Sequence, residues 1–334
     1  LLNRKANFSR MFEKLLDHPL ENHFNKGGLR TSIIRRIRDY RQPIPDLLWS
    51  RGWFAHCDNY GDRSYLYPAY PTRYMVPSLR QLRGRYGVIW LRLGSYPINS
   101  NWGNDRLGDV AAFSRDVVGH LGGPTVLVTT DGDMSVPAHL PPNVANNILS
   151  DPNIVAWFTQ NYDGSIVDRK LIGLPIGLGL HAGSIDRMKG VWGQAKIFQD
   201  ALSRTLPTNQ RIMKLWSDVH LKLHPDHNGN PRGILNDAIN RGSLSKHLDL
   251  PVTRLTQAEV WERYGQYAFV ISLPGHGWDC YRTWEALALG AIVVTIHSPL
   301  DALLEPYRVI FLDGTKHNCW EILNDSNWVN RMWE

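Results

Sequence analysis

Residues 270–300 constrain the fold of this chain more than any other stretch. They read V-I-S-L-P-G-H-G-W-D-C-Y-R-T-W-E-A-L-A-L-G-A-I-V-V-T-I-H-S-P-L. Residues 267–273 are apolar and suit a buried strand. Pro274-Gly275-His276-Gly277 breaks that strand. Residues 278–289 have helical length and good helix formers, and Gly290 is placed to end the helix. Residues 291–296 are rich in β-branched side chains, as central parallel strands are. The pattern predicts one βαβ unit. Its glycine turn precedes a helix, where backbone N–H groups can hold an anion. Arg282 and Glu285 lie three residues apart on that helix and share a face. A cation for a phosphate beside a carboxylate for ribose hydroxyls points to a nucleotide site.

The run S-L-P-G-H-G-W-D-C-Y-R-T-W-E-A-L-A-L-G (272–290) resembles the C-terminal motif of exostosin-like glycosyltransferases. That group includes ribitol xylosyltransferases and relatives in large algal viruses. The similarity is close over 270–313. It is looser at V-L-V-T-T-D-G-D-M-S-V-P (126–137) and L-P-I-G-L (174–178). The resemblance implies a GT-B architecture: α/β, with two Rossmann-like domains whose parallel sheets face across a cleft. It also implies inverting transfer from a nucleotide sugar, most often a UDP-sugar, to a glycan hydroxyl, without a bound metal.

The rest of the chain suits two α/β units. Strands are predicted at 87–93, 125–130, 154–159, 211–216 and 309–312. Helices are predicted at 107–121, 144–149, 191–203, 232–240 and 256–264. Alternating strands and helices argue for parallel sheets with helices on both faces. The glycine-rich apolar stretch 171–179 reads as a hinge. The expected division is an acceptor-side domain over 1–176 and a nucleotide-sugar domain over 177–316. A terminal helix, 317–334, would pack back toward the first domain. The first eighty residues are irregular and Pro-punctuated, with helices expected at 8–17 and 30–41.

The chain has 334 residues and a net charge of +6. Much of its basic character gathers in R-T-S-I-I-R-R-I-R-D-Y-R (30–41). A solvated helix face is the ordinary use of such a segment, and a peripheral membrane contact is the second. No nucleic-acid motif accompanies it, so nucleic acid is not expected as a partner. No run reaches the ~18 apolar residues of a membrane span. The chain begins at Leu1 rather than Met. The expected location is the cytoplasm, with the Golgi lumen as the alternative if an N-terminal anchor was removed. The sequons at Asn7 and Asn324 do not decide between them. Thirteen tryptophans and thirteen tyrosines supply core bulk first and sugar stacking second. Cys57, Cys280 and Cys319 give no disulfide framework. His220, His224 and His227 give no helical metal spacing, because Pro225 intervenes.

Sugar transfer needs cations for the leaving diphosphate and a general base for the acceptor hydroxyl. Arg282 is the expected diphosphate contact, with Gly275 and Gly277 admitting the backbone closely. Glu285 would take the ribose, as the resemblance implies. Arg232, opening a helix, is a second phosphate candidate, with an exposed structural role as its alternative. Ser272, Ser298, Leu300, Trp216 and Ser217 sit near the ligand edge of the second sheet. Asp279 is read as structural. Asp131 and Asp133 follow the strongest strand of the first domain, and Asp133 is the preferred base. Structural turn roles remain open for both. Arg92, Asn161, Asp163 and His181 are weaker candidates. D-G-D (131–133) also matches the metal-binding D-x-D of another transferase class. Three functions are carried: an inverting metal-independent transferase, a metal-dependent D-x-D transferase, and a glycan-binding pseudoenzyme.

Overall fold

The computed structural model describes residues 47–50, 52–60, 79–94, 109–180, 190–221, 230–242, 244–316, 318–324 and 327. The expected helices at 8–17 and 30–41, His181, His224, His227 and the Asn7 sequon lie outside the described residues.

Two parallel five-stranded sheets form the frame, giving the two Rossmann-like α/β units that were expected. The first contains β1 (Asn59–Tyr60), β2 (Gly87–Gly94), β3 (Thr125–Gly132), β4 (Ile154–Thr159) and β5 (Leu171–Gly173), in that spatial order. Its strands alternate cleanly. Ile89, Leu91, Leu93, Leu127 and Trp157 face one core. Trp90, Val126, Val128 and Ala156 face the other. Helices α1 (Val110–Asp116) and α2 (Val144–Ser150) both pack on the first of these faces, through Phe113 and Ile148.

Helices on both faces were expected. Among the described residues, the second face is covered instead by Trp53 and Cys57, beside the 3-10 turn Gly52–His56. The strand order explains the difference. Each successive strand adds on the same side, and right-handed crossovers then keep their helices on one face.

The second sheet has spatial order β10-β9-β8-β6-β7. Its strands are β6 (Ile212–Trp216), β7 (Leu248–Asp249), β8 (Tyr267–Ile271), β9 (Ile292–Ile296) and β10 (Val309–Leu312). The chain steps from β6 one way to β7 and the other way to β8. That reversal puts helices on both faces. Helix α4 (Pro231–Asn240) packs on one face through Ile234, Leu235 and Ala238. Helices α3 (Gly190–Ser203), α5 (Gln257–Gln266) and α6 (Tyr281–Ala288) pack on the other, through Phe198, Trp261 and Ala286. The short α7 (Asp301–Leu304) follows β9. Thr256 and Glu259 form a reciprocal capping box at the start of α5. Buried Arg211 donates to the carbonyls of Tyr264, Tyr267 and Leu289, where α5 and α6 end. A cation suits those carbonyl-rich ends.

Three sequence expectations need correction. Helix α6 begins at Tyr281 rather than 278, because Trp278 lies in a bend, Cys280 is extended, and Asp279 between them bonds to Asn161 and Ile176. The stretch 171–179 is more structured than its glycine-rich sequence implies. Leu171–Gly173 is the edge strand β5, and residues 174–180 are all buried. The terminal helix is, where described, a 3-10 turn at Cys319–Asn324, whose Trp320 and Leu323 pack into the second sheet's core.

Candidate active site

The reversal between β6 and β8 is where an open parallel sheet presents a ligand crevice at its strand ends. Strand β6 ends at Trp216 and passes to Ser217 and Asp218. Asp218 Oδ1 lies 2.7 Å from Arg282 Nε, in the first turn of α6, and also accepts from Tyr264 Oη at 2.9 Å. Burial alone would lower the Arg282 guanidinium, but the Asp218 carboxylate outweighs it and holds that group above its ordinary value. Arg232 lies in the first turn of α4 and reaches the same region. Its Nε donates to the Pro274 carbonyl at 2.8 Å and its Nη1 to the His220 carbonyl at 3.0 Å. Burial lowers the Arg232 guanidinium below its usual value, and the Arg282 charge adds to this. Two guanidiniums and one carboxylate therefore share the end of this sheet.

The glycine turn is more occupied than its sequence implies. Gly275 N donates to the Gly277 carbonyl at 3.0 Å, and Asp279 N donates to Asn161 Oδ1 at 2.8 Å. These two N–H groups are thus committed within the protein. A Cβ on Gly275 would stand 3.1 Å from Arg232 Nη2, so a glycine there lets the guanidinium lie against the turn. Ser272 is buried, and its hydroxyl pairs with Thr283 at 2.8 Å, tying the end of β8 to α6. Ser298 shapes the turn into α7 by accepting from Leu300 N on its hydroxyl, while Leu300 is core. The Trp216 indole is turned onto the sheet face. It lies 5.2 Å from Tyr267 and beneath Arg263, lining a cleft of about 500 Å³ with Asp249 and Pro251. Ser217 is buried, and its hydroxyl accepts from Val219 N.

Glu285 faces inward rather than toward an open ribose site. It is 4% exposed, and its Oε1 accepts from Gly179 N at 3.0 Å. Asp279, 6% exposed, accepts from Ile176 N at 2.6 Å and from Trp284 Nε1 at 2.7 Å. Asp279 is structural, as expected, but as a tether rather than a helix cap. The two carboxylates grip the same connector between the units. Burial pushes both up to about 7, against the lowering influence of those N–H donors.

The other half of the site comes from the end of β3. Asp131 adopts φ 62° and pairs with Arg92, its Oδ2 lying 3.1 Å from Arg92 Nε. Gln160 accepts from Asp131 N and donates to the Gly132 carbonyl at 2.6 Å. A Cβ on Gly132 would collide with the Gly94 backbone, so β2 and β3 pinch together here. Asp133 then leaves the strand, its N–H on the Gly94 carbonyl at 2.9 Å. Burial raises the Asp133 carboxyl above the ordinary aspartate range, Asp131 adds to this, and His276 and Arg92 oppose it. His276 belongs to the glycine turn of the second unit, so the electrostatics of Asp133 already join the two halves. Asp163 organises a local turn, accepting from Ala138 N and Ser165 N.

The structure therefore brings Arg282, Arg232, Gly275 and Gly277 together. It brings Asp133, Asp131, Arg92 and Asn161 to the facing strand end. It leaves Ser272 buried against Thr283, Ser298 in the turn into α7, and the Trp216 indole lining a separate cleft with Asp249 and Pro251. Asp218, Gln160 and His276 were missed by sequence reasoning. Asp218 had one available signal, its position just past the end of β6. Among the described residues, no group of three or more His, Cys, Asp or Glu side chains is arranged to hold a metal. No described helix is long and apolar enough to cross a membrane.

No protein-family model matches the chain, and no curated protein matches it. Among solved structures, it is similar to a UDP-forming α,α-trehalose-phosphate synthase from Burkholderia vietnamiensis, at 12% identity and a TM-score of 0.35, over 75% of this chain and 69% of that one.

Proposed function

We propose that this chain is an inverting, metal-independent glycosyltransferase of the exostosin-like kind, moving a sugar from a UDP-sugar to a hydroxyl of a glycan acceptor. The observation that carries this is the Asn161 amide, which joins the Gly132 carbonyl beside Asp133 to Asp279 N just after the glycine turn, and so brings Asp133 to the end of the sheet that holds Arg282 and Arg232. The acceptor side lies in residues 1–176 and the donor side in 177–316.

The chemistry follows from that placement. Arg282 and Arg232 offset the charge that develops on the leaving diphosphate. Asp133 takes the proton of the acceptor hydroxyl, and its raised pKa brings it closer to the ideal of a base matched to the working pH. The hydroxyl attacks the anomeric carbon from the side opposite the diphosphate, so the configuration inverts. Glu285, buried and bonded to Gly179 N, holds the connector against the donor helix rather than contacting the ribose. Asp131 is committed to Arg92, which favours a base over a D-x-D metal pair.

The test is a thermal-shift panel of UDP, GDP, CMP and dTDP with and without EDTA. Stabilisation by UDP that is insensitive to EDTA supports the proposal. No response to any nucleotide supports the glycan-binding pseudoenzyme instead.

A further inference from the structure

We infer that Asn161 is a positioning residue that sets Asp133 against the donor turn, and this rests on the glycosyltransferase reading above. Its side chain is fully enclosed, with 0% exposure, and spans the two units. Nδ2 donates to the Gly132 carbonyl at 2.9 Å, between Asp131 and Asp133. Oδ1 accepts from Asp279 N at 2.8 Å, just after the glycine turn. One planar amide thus fixes the distance between the end of β3 and the turn that carries His276. Its orientation is set from both ends, because each of its two polar atoms has only one suitable kind of partner.

Two further observations separate positioning from simple satisfaction of a buried polar group. Gln160 Nε2 already donates to the same Gly132 carbonyl at 2.6 Å. That acceptor therefore does not depend on Asn161 for a partner. The bond that only Asn161 supplies is the one crossing to Asp279. Gly277, in turn, is built around the amide. A Cβ there would lie 2.5 Å from Asn161 Oδ1 and 2.7 Å from its Cγ. The backbone at Asn161 has φ 55°, a conformation that asparagine and glycine tolerate and most residues resist.

Those features define the experiment. Asn161→Gly keeps the left-handed backbone and removes only the amide. Gly277→Ala drives a methyl group into the amide. Both variants and their combination are compared with wild type for UDP affinity by calorimetry, for Tm, and for the rate of UDP release. The donor is whichever of UDP-glucose, UDP-galactose, UDP-xylose or UDP-glucuronate wild type turns over. The expected result for Asn161→Gly is a fall of about 10- to 100-fold in release rate with UDP affinity unchanged, as misplacement of reacting groups produces. Gly277→Ala should lower the rate in the wild-type background and add nothing to Asn161→Gly, since its collision partner is gone. The inference is overturned by a wild-type rate in Asn161→Gly. It is equally overturned by rate, affinity and Tm falling together, or by Gly277→Ala costing the same in both backgrounds. If wild type neither binds UDP nor releases it from any donor, the glycosyltransferase reading itself fails and takes the positioning role with it. That outcome shows before any substitution is made.

Discussion

Arg282 Nε sits 2.7 Å from Asp218 Oδ1, with 16% and 18% of their side chains exposed. The pair joins the first turn of α6 to the end of β6 across the sheet's reversal point. An arginine held this way is oriented before a ligand arrives, but part of its charge is already offset. The two partners should therefore respond oppositely to neutralisation. Arg282→Ala should weaken UDP binding and slow transfer roughly 30- to 1000-fold, as loss of an oriented charge-assisted contact does. Asp218→Asn should lower Tm, yet leave UDP binding as tight as in wild type or tighter. Calorimetry on the two variants checks this. Weaker UDP binding in Asp218→Asn than in Arg282→Ala would remove the guanidinium from the phosphate site.

Glu285 gives a prediction about pH. Burial raises its carboxyl from 4.5 to about 7 in the folded protein. Between those values the folded state holds the proton that the unfolded state has released. Stability from this group is therefore present at low pH and is lost as pH rises through about 7, on the order of 3 kcal/mol in full. Glu285→Gln keeps an acceptor for Gly179 N but cannot ionise. Its Tm should match wild type at or below about pH 4 and exceed it at pH 8 to 9. Parallel Tm curves for the two proteins across that range would show that Glu285 does not titrate there.

The sequence made the frame readable because most strands are short apolar runs bounded by Gly, Pro or Asn. β4 matched its expected limits and β3 its expected start. The edge strands β1 and β7 did not announce themselves. Each has two residues, Asn59–Tyr60 and Leu248–Asp249, too few to show any periodicity. The site divided in the same way. The glycine turn and Arg282 were legible because their residue types stand out within one short βαβ segment. The inward turn of Glu285 was not, because its partner is the N–H of Gly179, more than one hundred positions earlier. A backbone donor leaves no residue-type signal. The same holds for Asn161, whose two partners are the Gly132 carbonyl and the Asp279 N–H.

Metal dependence is the next point of test. Arg282 and Arg232 supply positive charge beside the turn, and Asp131 is already paired with Arg92. Transfer should continue in EDTA at the wild-type rate. Activity lost in EDTA and restored by manganese would reassign Asp131 and Asp133 as ligands, and would require the Arg92–Asp131 pair to open.

Asp133→Asn should bind UDP normally, keep its Tm, and transfer about 100-fold more slowly or worse, since general base catalysis contributes about 10²–10⁴. Because burial raises the Asp133 carboxyl, the acid limb of the wild-type rate profile should lie above the ordinary aspartate range. The base must be ionised, so the rate should fall as pH drops through that raised value, and Asp133→Asn should lack the limb. Asp131→Asn is the informative control. It leaves Arg92, which is mostly buried, without its carboxylate, so its first effect should be on Tm, and a broken buried pair costs about 3–5 kcal/mol. Loss of transfer with Tm preserved in Asp131→Asn, and not in Asp133→Asn, would exchange the two roles. If neither substitution matters, the base lies elsewhere, with His181 next in line just past the connector. Stereochemistry is read separately, from the anomeric proton of the product by NMR. An inverted centre agrees with a base across the cleft from the diphosphate, and a retained one would exclude direct attack whichever aspartate proves important.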